Sequence, residues 1–363
     1  MKTVKRNIPK KLLMVSRILD SKDPVGSFTQ QWAKKIVSKV ECLYFICLEA
    51  YNVTIDDQNF KYFSMGKEKG YGRLRLLLNY YKYLFKLMKD VDVFFGHMNS
   101  MYTVLAVPVA WIYRVRVISW VAFGPGANFM IRLNALLSDW MVTATEDSLE
   151  INSKKKKVVG HGIDVSTFRP FSDNKREKKI ITHGRLSEIK NQKTLLRACS
   201  HISDTMRKRR WKIEIFGRAP TEKSRNYKAG LKKLAEDLSI SDLVTFKDPV
   251  SNYEVPEILN KSSIFVDMTS VGGAGKSVLE SMATETITVL CTDTFNDHLG
   301  EELTEALIYR PKDPKDLAEK LKNLIDLIES DRNRAAEIGR DLRDIVVKHH
   351  NLDTLMEKIL SLY

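Results

Sequence analysis

The sequence predicts an α/β protein built from two doubly wound parallel sheets, and three observations lead to this fold class. Apolar runs of strand length alternate with stretches of helical periodicity, which is typical of βαβ units. This alternation restarts after the irregular, turn-rich segment 161–177, so each half has its own set of strands and helices. The chain has 363 residues, and at roughly 100–200 residues per domain this length fits two or three domains.

The first series begins with a strand predicted over residues 11–19 and a helix over residues 28–40. The later strands of this series are predicted at residues 42–48, 60–64, 91–95, 115–121, 140–144 and 157–159. Because helices separate most of these strands, we expect them to pair in parallel and to be covered on both faces.

Two helices of this series have unusual compositions. Residues 74–89 repeat apolar side chains at helical spacing, with basic residues on the other side, which predicts an amphipathic basic helix. Its basic residues are Arg75, Lys82, Lys86 and Lys89. Residues 101–113 form the most apolar stretch, which contains Pro108 and is shorter than the roughly 20 residues that span a bilayer. We interpret this stretch as a buried helix.

The second series starts with a strand at residues 179–182. Further strands are predicted at residues 211–216, 243–246, 264–267 and 286–291, and helices at 195–202, 227–238, 255–260 and 277–283. The tail contains only helical stretches, at residues 314–329, 332–348 and 352–362. In doubly wound folds ligands bind beyond the carboxyl ends of the strands, so two facing sheets predict a cleft between the domains.

Composition excludes several classes of protein. With 44% hydrophobic and 29% charged residues, the chain is globular and not disordered or collagen-like. Its four cysteines form no CxxC pair and have no histidine at metal-ligand spacing, so neither a disulfide framework nor a zinc site is expected. A reducing cytoplasm fits this pattern best. The net charge of +14 suits phosphorylated ligands or anionic membranes, whereas the scattered Lys and Arg residues match no nucleic-acid module.

A glycine-rich loop over residues 270–277 is the sharpest local signal. It lies between a predicted strand and a helix and resembles a P-loop, but Ser270 replaces the first glycine of that pattern. Glycines that open a helix present free N–H groups and the positive end of the helix dipole to a phosphate. A glycine-rich turn without a ligand is the alternative interpretation.

A second group of candidates follows the strand at residues 179–182. Arg185 and Lys190 come just after the strand end, where a ligand is expected in this fold. For either residue alone, an ordinary solvated surface charge is the better interpretation, because charged loop residues are usually solvated.

Four segments together resemble the retaining glycosyltransferases of family 4. They are GHGIDVSTFRP (160–170), ITHGRLSEIKNQKTLLRA (181–198), IEIFGRAP (213–220) and IFVDMTSVGGAGKSVLESMA (264–283). The resemblance covers roughly residues 10–360. It implies that Arg185 and Lys190 hold the donor diphosphate and that Glu280 binds the nucleotide ribose. The loop that would face the donor phosphates and sugar comprises Gly273, Ala274, Gly275, Lys276 and Ser277.

The resemblance also implies the GT-B fold, in which two Rossmann-like domains face a cleft. The expected domains are residues 1–170 for the acceptor, residues 171–345 for the nucleotide-sugar, and a helix at 346–363 that packs back on the first domain. The implied reaction is retaining transfer of a sugar from a nucleoside-diphosphate donor to a glycan or lipid-linked acceptor. Fixed cations and helix N–H groups can stabilise the leaving diphosphate without a metal ion, so neither a metal nor a cofactor beyond the donor is expected.

Three features bear on this interpretation. Gly272 stands where the family pattern has the first glutamate of its Glu-x7-Glu element, and Phe123 stands where a histidine often precedes Gly124. The Asp-x-Asp at residues 90–92 precedes a strand, which favours a helix terminus over a metal site.

The first domain is expected to supply the acceptor side and one loop near the donor, and it adds three candidates, of which Gly26 and Ser27 are assigned to donor binding. Gly26 and Ser27 lie between the first strand and its helix, where the backbone can approach a diphosphate or acceptor closely. His97 follows the strand at residues 91–95 and is expected to point into the cleft, as the third catalytic candidate beside Arg185 and Lys190. An ordinary hydrogen-bonded loop histidine is the alternative for His97.

Two rival functions remain open from the sequence. A P-loop-like nucleotidase would use the 270–277 loop with Lys276 and Mg²⁺, and a non-catalytic GT-B protein would bind a sugar-nucleotide without turnover. The basic helix at residues 74–89 is either a solvated surface or a docking element for an anionic leaflet. The expected location is the cytoplasm, with peripheral contact at the inner face of the membrane.

Overall fold

The computed structural model describes residues 10–23, 26–122, 126–172, 175–270 and 275–363, and the chain divides into two compact units. Unit 1 comprises Met1–Asp164 and His350–Tyr363, and unit 2 comprises Val165–His349. The sequence predicts domain boundaries at residues 170 and 345, a few residues from the positions where the chain passes from one unit to the other.

Unit 1 contains a parallel sheet of seven strands in the order β3-β2-β1-β4-β5-β6-β7. The strands are β1 (Lys11–Leu19), β2 (Cys42–Ala50), β3 (Phe60–Ser64), β4 (Val93–His97), β5 (Arg116–Trp120), β6 (Trp140–Thr143) and β7 (Lys156–Val158). The order reverses between β1 and β4, and this reversal is the topological switch point of unit 1.

Unit 2 contains a parallel sheet of five strands in the order β10-β9-β8-β11-β12. The strands are β8 (Glu177–Arg185), β9 (Lys212–Arg218), β10 (Val244–Lys247), β11 (Ser262–Val266) and β12 (Ile287–Val289). Its order also reverses once, between β8 and β11. The α/β class with two doubly wound parallel sheets is therefore confirmed.

Four helices cover the first sheet after β1, β3, β4 and β5. They are α1 (Gly26–Val37), α2 (Arg73–Leu87), α3 (Ser100–Tyr113) and α4 (Phe129–Leu137). Side chains alternate across the strands as the pleat requires, so Phe95 of β4 joins the core that contains Trp32 of α1, and Phe94 joins the core that contains Tyr80 of α2. The sheet thus separates two apolar cores.

Eight helices follow in unit 2. They are α5 (Gln192–His201), α6 (Ser203–Arg209), α7 (Glu222–Asp237), α8 (Val255–Lys261), α9 (Lys276–Ala283), α10 (Asn296–Leu307), α11 (Pro314–Ser330) and α12 (Arg332–His349). Two arginines hold the carboxyl end of α9. Arg176 donates to the carbonyl oxygens of Thr284 and Ser262, each at 2.7 Å, and Arg343 donates to that of Ala283. These bonds tie α9 to the neighbouring strand and thereby fix the direction of its axis.

The last helix, α13 (Leu352–Leu360), belongs to unit 1. Leu352, Leu355 and Met356 are buried in the core that contains Trp32. The Lys35 ammonium of α1 lies 2.9 Å from the Asp353 carboxylate. The predicted return of the C-terminal helix to the first domain is confirmed.

Two helices differ from their predicted burial. In α2 the buried side chains are Tyr80, Leu84 and Leu87, whereas Leu78 and Phe85, which the periodicity assigns to the same side as Leu84, are exposed. The predicted buried helix α3 is buried on its inner side, whereas Trp111 and Ile112 on its outer side are exposed. Across the described ranges, no helix is both long enough and apolar enough to cross a membrane.

Candidate active site

The candidate site lies at the switch point of unit 2, where β8 and β11 end side by side. Two segments meet the sheet edge there, namely the loop after β8 and the start of α9 after β11. Residues 271–274, including Gly273 and Ala274 of the predicted donor loop and Gly272, lie outside the described residues.

Arg185 is the last residue of β8, and its side chain is exposed. Within the described part of the chain, its guanidinium forms no hydrogen bond or ion pair. Its backbone carbonyl accepts a bond of 3.1 Å from the Gln192 side chain, and the next residue, Leu186, donates its N–H to the Arg218 carbonyl at 3.1 Å. The backbone is therefore anchored while the cation remains available.

Gly217 allows this backbone arrangement. A Cβ atom at position 217 would lie 2.5 Å from Leu186 Cδ2 and 2.9 Å from the Gly184 carbonyl oxygen. Any larger residue at this position would displace the strand end that carries Arg185.

Lys190 ends a short 3₁₀ turn, Glu188–Lys190, that follows β8. Its ammonium lies 3.5 Å from Asp267 Oδ1 and 3.8 Å from the point where a Cβ atom on Gly275 would lie. Gly275 is the residue before α9 and has no side chain with which to cap the helix. A lysine cation and an uncapped helix N-terminus, both of which attract anions, therefore adjoin each other.

Asp267, which the sequence analysis did not single out, positions Lys190. It follows β11 and is buried. Its carboxylate accepts hydrogen bonds from the Thr269 hydroxyl at 2.9 Å and the Thr269 N–H at 3.3 Å. These bonds hold Asp267 in place, so its ion pair restrains the lysine. The only sequence signal for this role was an aspartate directly after an apolar strand.

Helix α9 carries a second polar group. Glu280 is buried one turn after Lys276. Burial raises the pKa of the Glu280 carboxyl to about 7, and the nearby Lys276 ammonium opposes this shift. Burial likewise lowers the pKa of Lys276 to about 8. The Lys276 ammonium thus lies close enough to Glu280 to influence its carboxyl, whereas a P-loop lysine reaches the phosphates of its ligand.

His183 faces Glu280 from β8, with its Nε2 atom 3.8 Å from Glu280 Oε2. Burial lowers the pKa of His183 to about 4, with a smaller effect from Lys190, so the ring is neutral near pH 7. Its Nε2 atom is buried and has no hydrogen-bond partner among the described residues. Sequence reasoning missed His183, because one strand histidine carries no sign of what it faces.

The structure thus brings together most of the candidates predicted in unit 2. Lys190, Gly275, Lys276 and Glu280 surround the start of α9, and Ser277 lies in its first turn. Arg185 lies at the same edge of the sheet. Their roles remain predictions, but their arrangement is suited to an anion with adjoining hydroxyl groups.

The candidates in unit 1 have a different environment. His97 is fully buried, with its Nδ1 atom 3.3 Å from the Ser16 hydroxyl and its ring centroid 4.6 Å from that of Trp32. The His97 ring therefore packs against side chains of unit 1 in this conformation, and its predicted contact with a sugar stays a prediction.

Gly26 and Ser27 begin α1 and are both buried. A Cβ atom on Gly26 would lie 2.8 Å from the Asp20 carbonyl oxygen, and the Gly26 N–H donates to Asp23 Oδ1 at 2.8 Å. The close approach that glycine permits here is to the protein's own backbone. The expected approach of this backbone to a ligand stays a prediction.

The candidate metal motif has a structural role. Asp92 of the Asp-x-Asp accepts hydrogen bonds from the N–H groups of Lys10 and Lys11, at 2.8 and 2.9 Å. No group of three or more His, Cys, Asp or Glu side chains in the described ranges is placed to hold a metal ion.

A comparison with protein families matches the part of the chain that contains this site. Residues 166–342 match the family described as Glycosyl transferases group 1. This segment contains every site residue described above in unit 2, from His183 to Glu280.

Two curated relatives match about half of the chain. The D-inositol 3-phosphate glycosyltransferase of Frankia alni is 25% identical over 190 residues, which are 49% of this chain and 46% of the relative. The mannosylfructose-phosphate synthase of Agrobacterium fabrum is 24% identical over 204 residues, which are 53% of this chain and 42% of the relative. Each match thus spans less than half the length of the relative.

Solved structures match almost the whole chain. HepE of Anabaena, solved in complex with UDP and glucose, has a TM-score of 0.73 at 14% identity and covers 96% of this chain and 98% of its own. Sucrose-phosphate synthase of Thermosynechococcus elongatus has a TM-score of 0.70 at 14% identity, with coverage of 96% and 97%. The predicted GT-B fold is confirmed by these structural matches.

Proposed function

We propose that the protein is a glycosyltransferase that moves a sugar from a nucleoside-diphosphate donor to a glycan or lipid-linked acceptor. The observation that carries this proposal is the Lys190 ammonium beside the uncapped start of α9. Because residues 166–342 match the glycosyl transferases group 1 family, we expect these two positive groups to bind the donor diphosphate.

The proposed chemistry needs charge stabilisation at the leaving group. The bond between the anomeric carbon and the β-phosphate oxygen breaks, and a bond between the anomeric carbon and the acceptor oxygen forms. The acceptor hydroxyl proton passes to the departing diphosphate. Arg185, Lys190 and the N–H groups of α9 would stabilise the negative charge that develops on the diphosphate. We propose on this basis that transfer needs no metal ion, and that it retains the anomeric configuration as in family 4.

Glu280 is proposed to bind the ribose of the donor. An ionised carboxylate can accept hydrogen bonds from two neighbouring hydroxyl groups, and its burial strengthens such bonds because little water competes. The Lys276 ammonium favours the ionised state of Glu280. On the side of β8, the His183 ring is neutral and does not neutralise the charge of the Glu280 carboxylate.

Three further proposals concern the donor, acceptor and location. Because HepE has been solved with UDP-glucose, UDP-sugars are the first donors to test. Unit 1 is proposed to hold the acceptor. All four cysteines are free and buried, as suits a cytoplasmic protein.

Calorimetry with UDP-, GDP- and ADP-sugars tests donor binding, with Arg185→Ala and Lys190→Ala as variants. We expect one nucleotide-sugar to bind to the wild-type protein and both variants to bind it at least about a hundredfold more weakly. Binding of ATP without any nucleotide-sugar would overturn the proposal in favour of the nucleotidase.

A turnover assay with the best donor then separates an enzyme from a non-catalytic binding protein. Activity that persists in excess EDTA would support metal independence, and NMR of the first product would identify its anomeric configuration. Donor binding without transfer to any acceptor or water would favour the non-catalytic alternative.

A further inference from the structure

Helix α2 carries a second apolar stripe that faces solvent. Its first stripe, formed by Tyr80, Leu84 and Leu87, is buried against the sheet. The second stripe consists of Leu74, Leu78, Tyr81 and Phe85. These residues are spaced by four, three and four positions, so they lie along one side of the helix. At 3.6 residues per turn, that side is about a third of a turn around the helix from the buried stripe. Leu74 is 72% exposed, Leu78 61% and Phe85 47%, so much of this stripe contacts water.

A basic stripe lies beside the exposed apolar one. It consists of Arg75, Lys82, Lys86 and Lys89, all of which are exposed. Residues 73–89 contain no Asp or Glu, so no acid within this segment neutralises these charges. An apolar stripe flanked by lysine and arginine is the pattern of helices that lie in the interface of a membrane.

Helix α3 extends the apolar surface. The Tyr80 hydroxyl of α2 donates to the Tyr102 carbonyl of α3 at 2.6 Å, so the two helices lie side by side on the same face of the sheet. Trp111 is 61% exposed and Ile112 66%, and Ser100–Tyr113 contains no charged residue. Two neighbouring helices on one face of the sheet thus both expose large apolar side chains to solvent, which is more than scattered surface residues account for.

We propose that the outer faces of α2 and α3 dock on a bilayer surface that contains anionic lipids. Leucine, phenylalanine and tryptophan side chains would enter the boundary between headgroups and acyl chains, while the basic stripe would contact the headgroups. This surface belongs to unit 1 alone, so the proposal does not depend on the proposed glycosyl transfer.

The basic stripe decides between a membrane and a second copy of the chain. A two-fold dimer through this face would place the patch against itself, and the basic stripes of both copies would repel each other at close range. A bilayer with anionic headgroups covers the same apolar groups and supplies the opposite charge. The membrane is therefore the partner that satisfies both stripes.

Flotation of the full chain with phospholipid vesicles tests the proposal. The probes are vesicles of phosphatidylcholine alone and vesicles that also contain phosphatidylglycerol, in about 0.1 M salt. We expect the wild-type protein to float with the anionic vesicles and to remain largely free with the neutral ones.

Two double variants separate the two stripes. Leu74→Ser with Leu78→Ser shortens the apolar stripe, and Lys82→Gln with Lys86→Gln reduces the basic one. We expect each pair to weaken partitioning to anionic vesicles at least about tenfold. The matched controls are Tyr253→Ser and the pair Lys232→Gln with Lys233→Gln, exposed side chains of unit 2 that should leave partitioning unchanged.

Several outcomes would overturn the proposal. They are a wild-type protein that does not float with anionic vesicles, one that floats equally with both kinds, or variants that float as well as the wild type. Equal losses in the control variants would also overturn it. Because the substituted side chains are exposed, their thermal midpoints should match the wild type, and the comparison of vesicle types remains decisive even if a variant unfolds.

Discussion

The two sheets reverse their strand order in the same way, yet their switch points are filled differently. In unit 2, the edge between β8 and β11 carries Arg185, Lys190 and Glu280. In unit 1, the corresponding edge between β1 and β4 carries His97, which is buried beside Trp32 and Ser16. One switch point therefore presents charge, and the other is packed with the protein's own side chains.

This difference shows that topology provides a place for a ligand but does not by itself make a site. The switch point of unit 1 has the same strand arrangement, but His97 there packs against Trp32 from α1. At the switch point of unit 2, the Lys190 ammonium lies beside the start of α9, where the N-cap residue Gly275 has no side chain. Substitutions test this comparison, because they should change donor affinity at the switch point of unit 2 and leave it nearly unchanged at that of unit 1.

The largest effect is expected at Lys190. Lys190→Ala removes the cation beside α9 and leaves Asp267 buried without its ion pair, so donor affinity should fall at least about a hundredfold, or about 2.7–4 kcal/mol. Calorimetry with the best nucleotide-sugar measures this loss. Lys193→Ala, three residues later and paired with Glu188 at the surface, is the matched control and should change affinity less than about threefold. Equal effects of the two substitutions would contradict the assignment.

The next effect is expected at Gly217. Gly217→Ala places a methyl group against Leu186 and the Gly184 carbonyl, so the end of β8 must move. We expect a loss of about 1–3 kcal/mol in the free energy of unfolding of unit 2, together with weaker donor binding through displaced Arg185.

Gly230→Ala is the control for this substitution, because a Cβ atom there meets no other atom within 4 Å. Gly230 lies inside α7, and its replacement should stabilise the protein by about 0.5–1 kcal/mol without changing donor affinity. Chemical denaturation measures both variants. An unchanged stability for Gly217→Ala would show that the strand end adapts without strain.

A smaller, pH-dependent effect is expected at Glu280. Its pKa of about 7 means that the carboxylate needed to accept ribose hydroxyls forms only as pH rises through that value. Donor affinity should therefore increase between about pH 6 and 8 and fall roughly tenfold in Glu280→Gln near pH 8. Calorimetry measures the donor affinity of the wild type and of Glu280→Gln at each pH in this range. The ratio of the two affinities cancels the titration of the nucleotide itself, which is the same in both series. Parallel pH profiles would contradict a role for Glu280.

Ionisation of Glu280 should raise donor affinity but lower the free energy of unfolding. Because its pKa is higher in the folded chain than the ordinary 4.5, the folded state binds more protons than the unfolded state between about pH 4.5 and 7. The contribution of Glu280 to stability therefore decreases as pH rises through this window. Denaturation of wild type and Glu280→Gln at both ends of the window should show this slope only in the wild type.

The smallest effect on donor binding is expected at His97. His97→Ala opens space beside Trp32 and removes the bond to Ser16, which should cost about 1–3 kcal/mol in stability. Donor affinity should stay within about twofold of the wild type, because the affected core lies in unit 1. A variant with normal stability but lost transfer to acceptor would instead restore His97 as an acceptor contact.

The sequence predicted the strand and helix alternation well because buried parallel strands read as apolar runs. It also located Lys190 and Glu280, because both lie in motifs at strand and helix ends. It missed Asp267 and His183, whose importance depends on which side chains they face after folding. The predicted buried side of α2 was partly wrong, because apolar residues occur on two sides of that helix and periodicity alone does not show which side packs on the sheet.

The position of α13 has a consequence for the order in which the protein folds during synthesis. Unit 2 is one continuous stretch of chain, Val165–His349, and can fold as soon as it has left the ribosome. Unit 1 instead needs Leu352, Leu355 and Met356 to complete the core around Trp32, and these are translated after unit 2. Domains otherwise tend to fold in the order of their synthesis, but here the core of unit 1 around Trp32 is completed only after unit 2 has been synthesised.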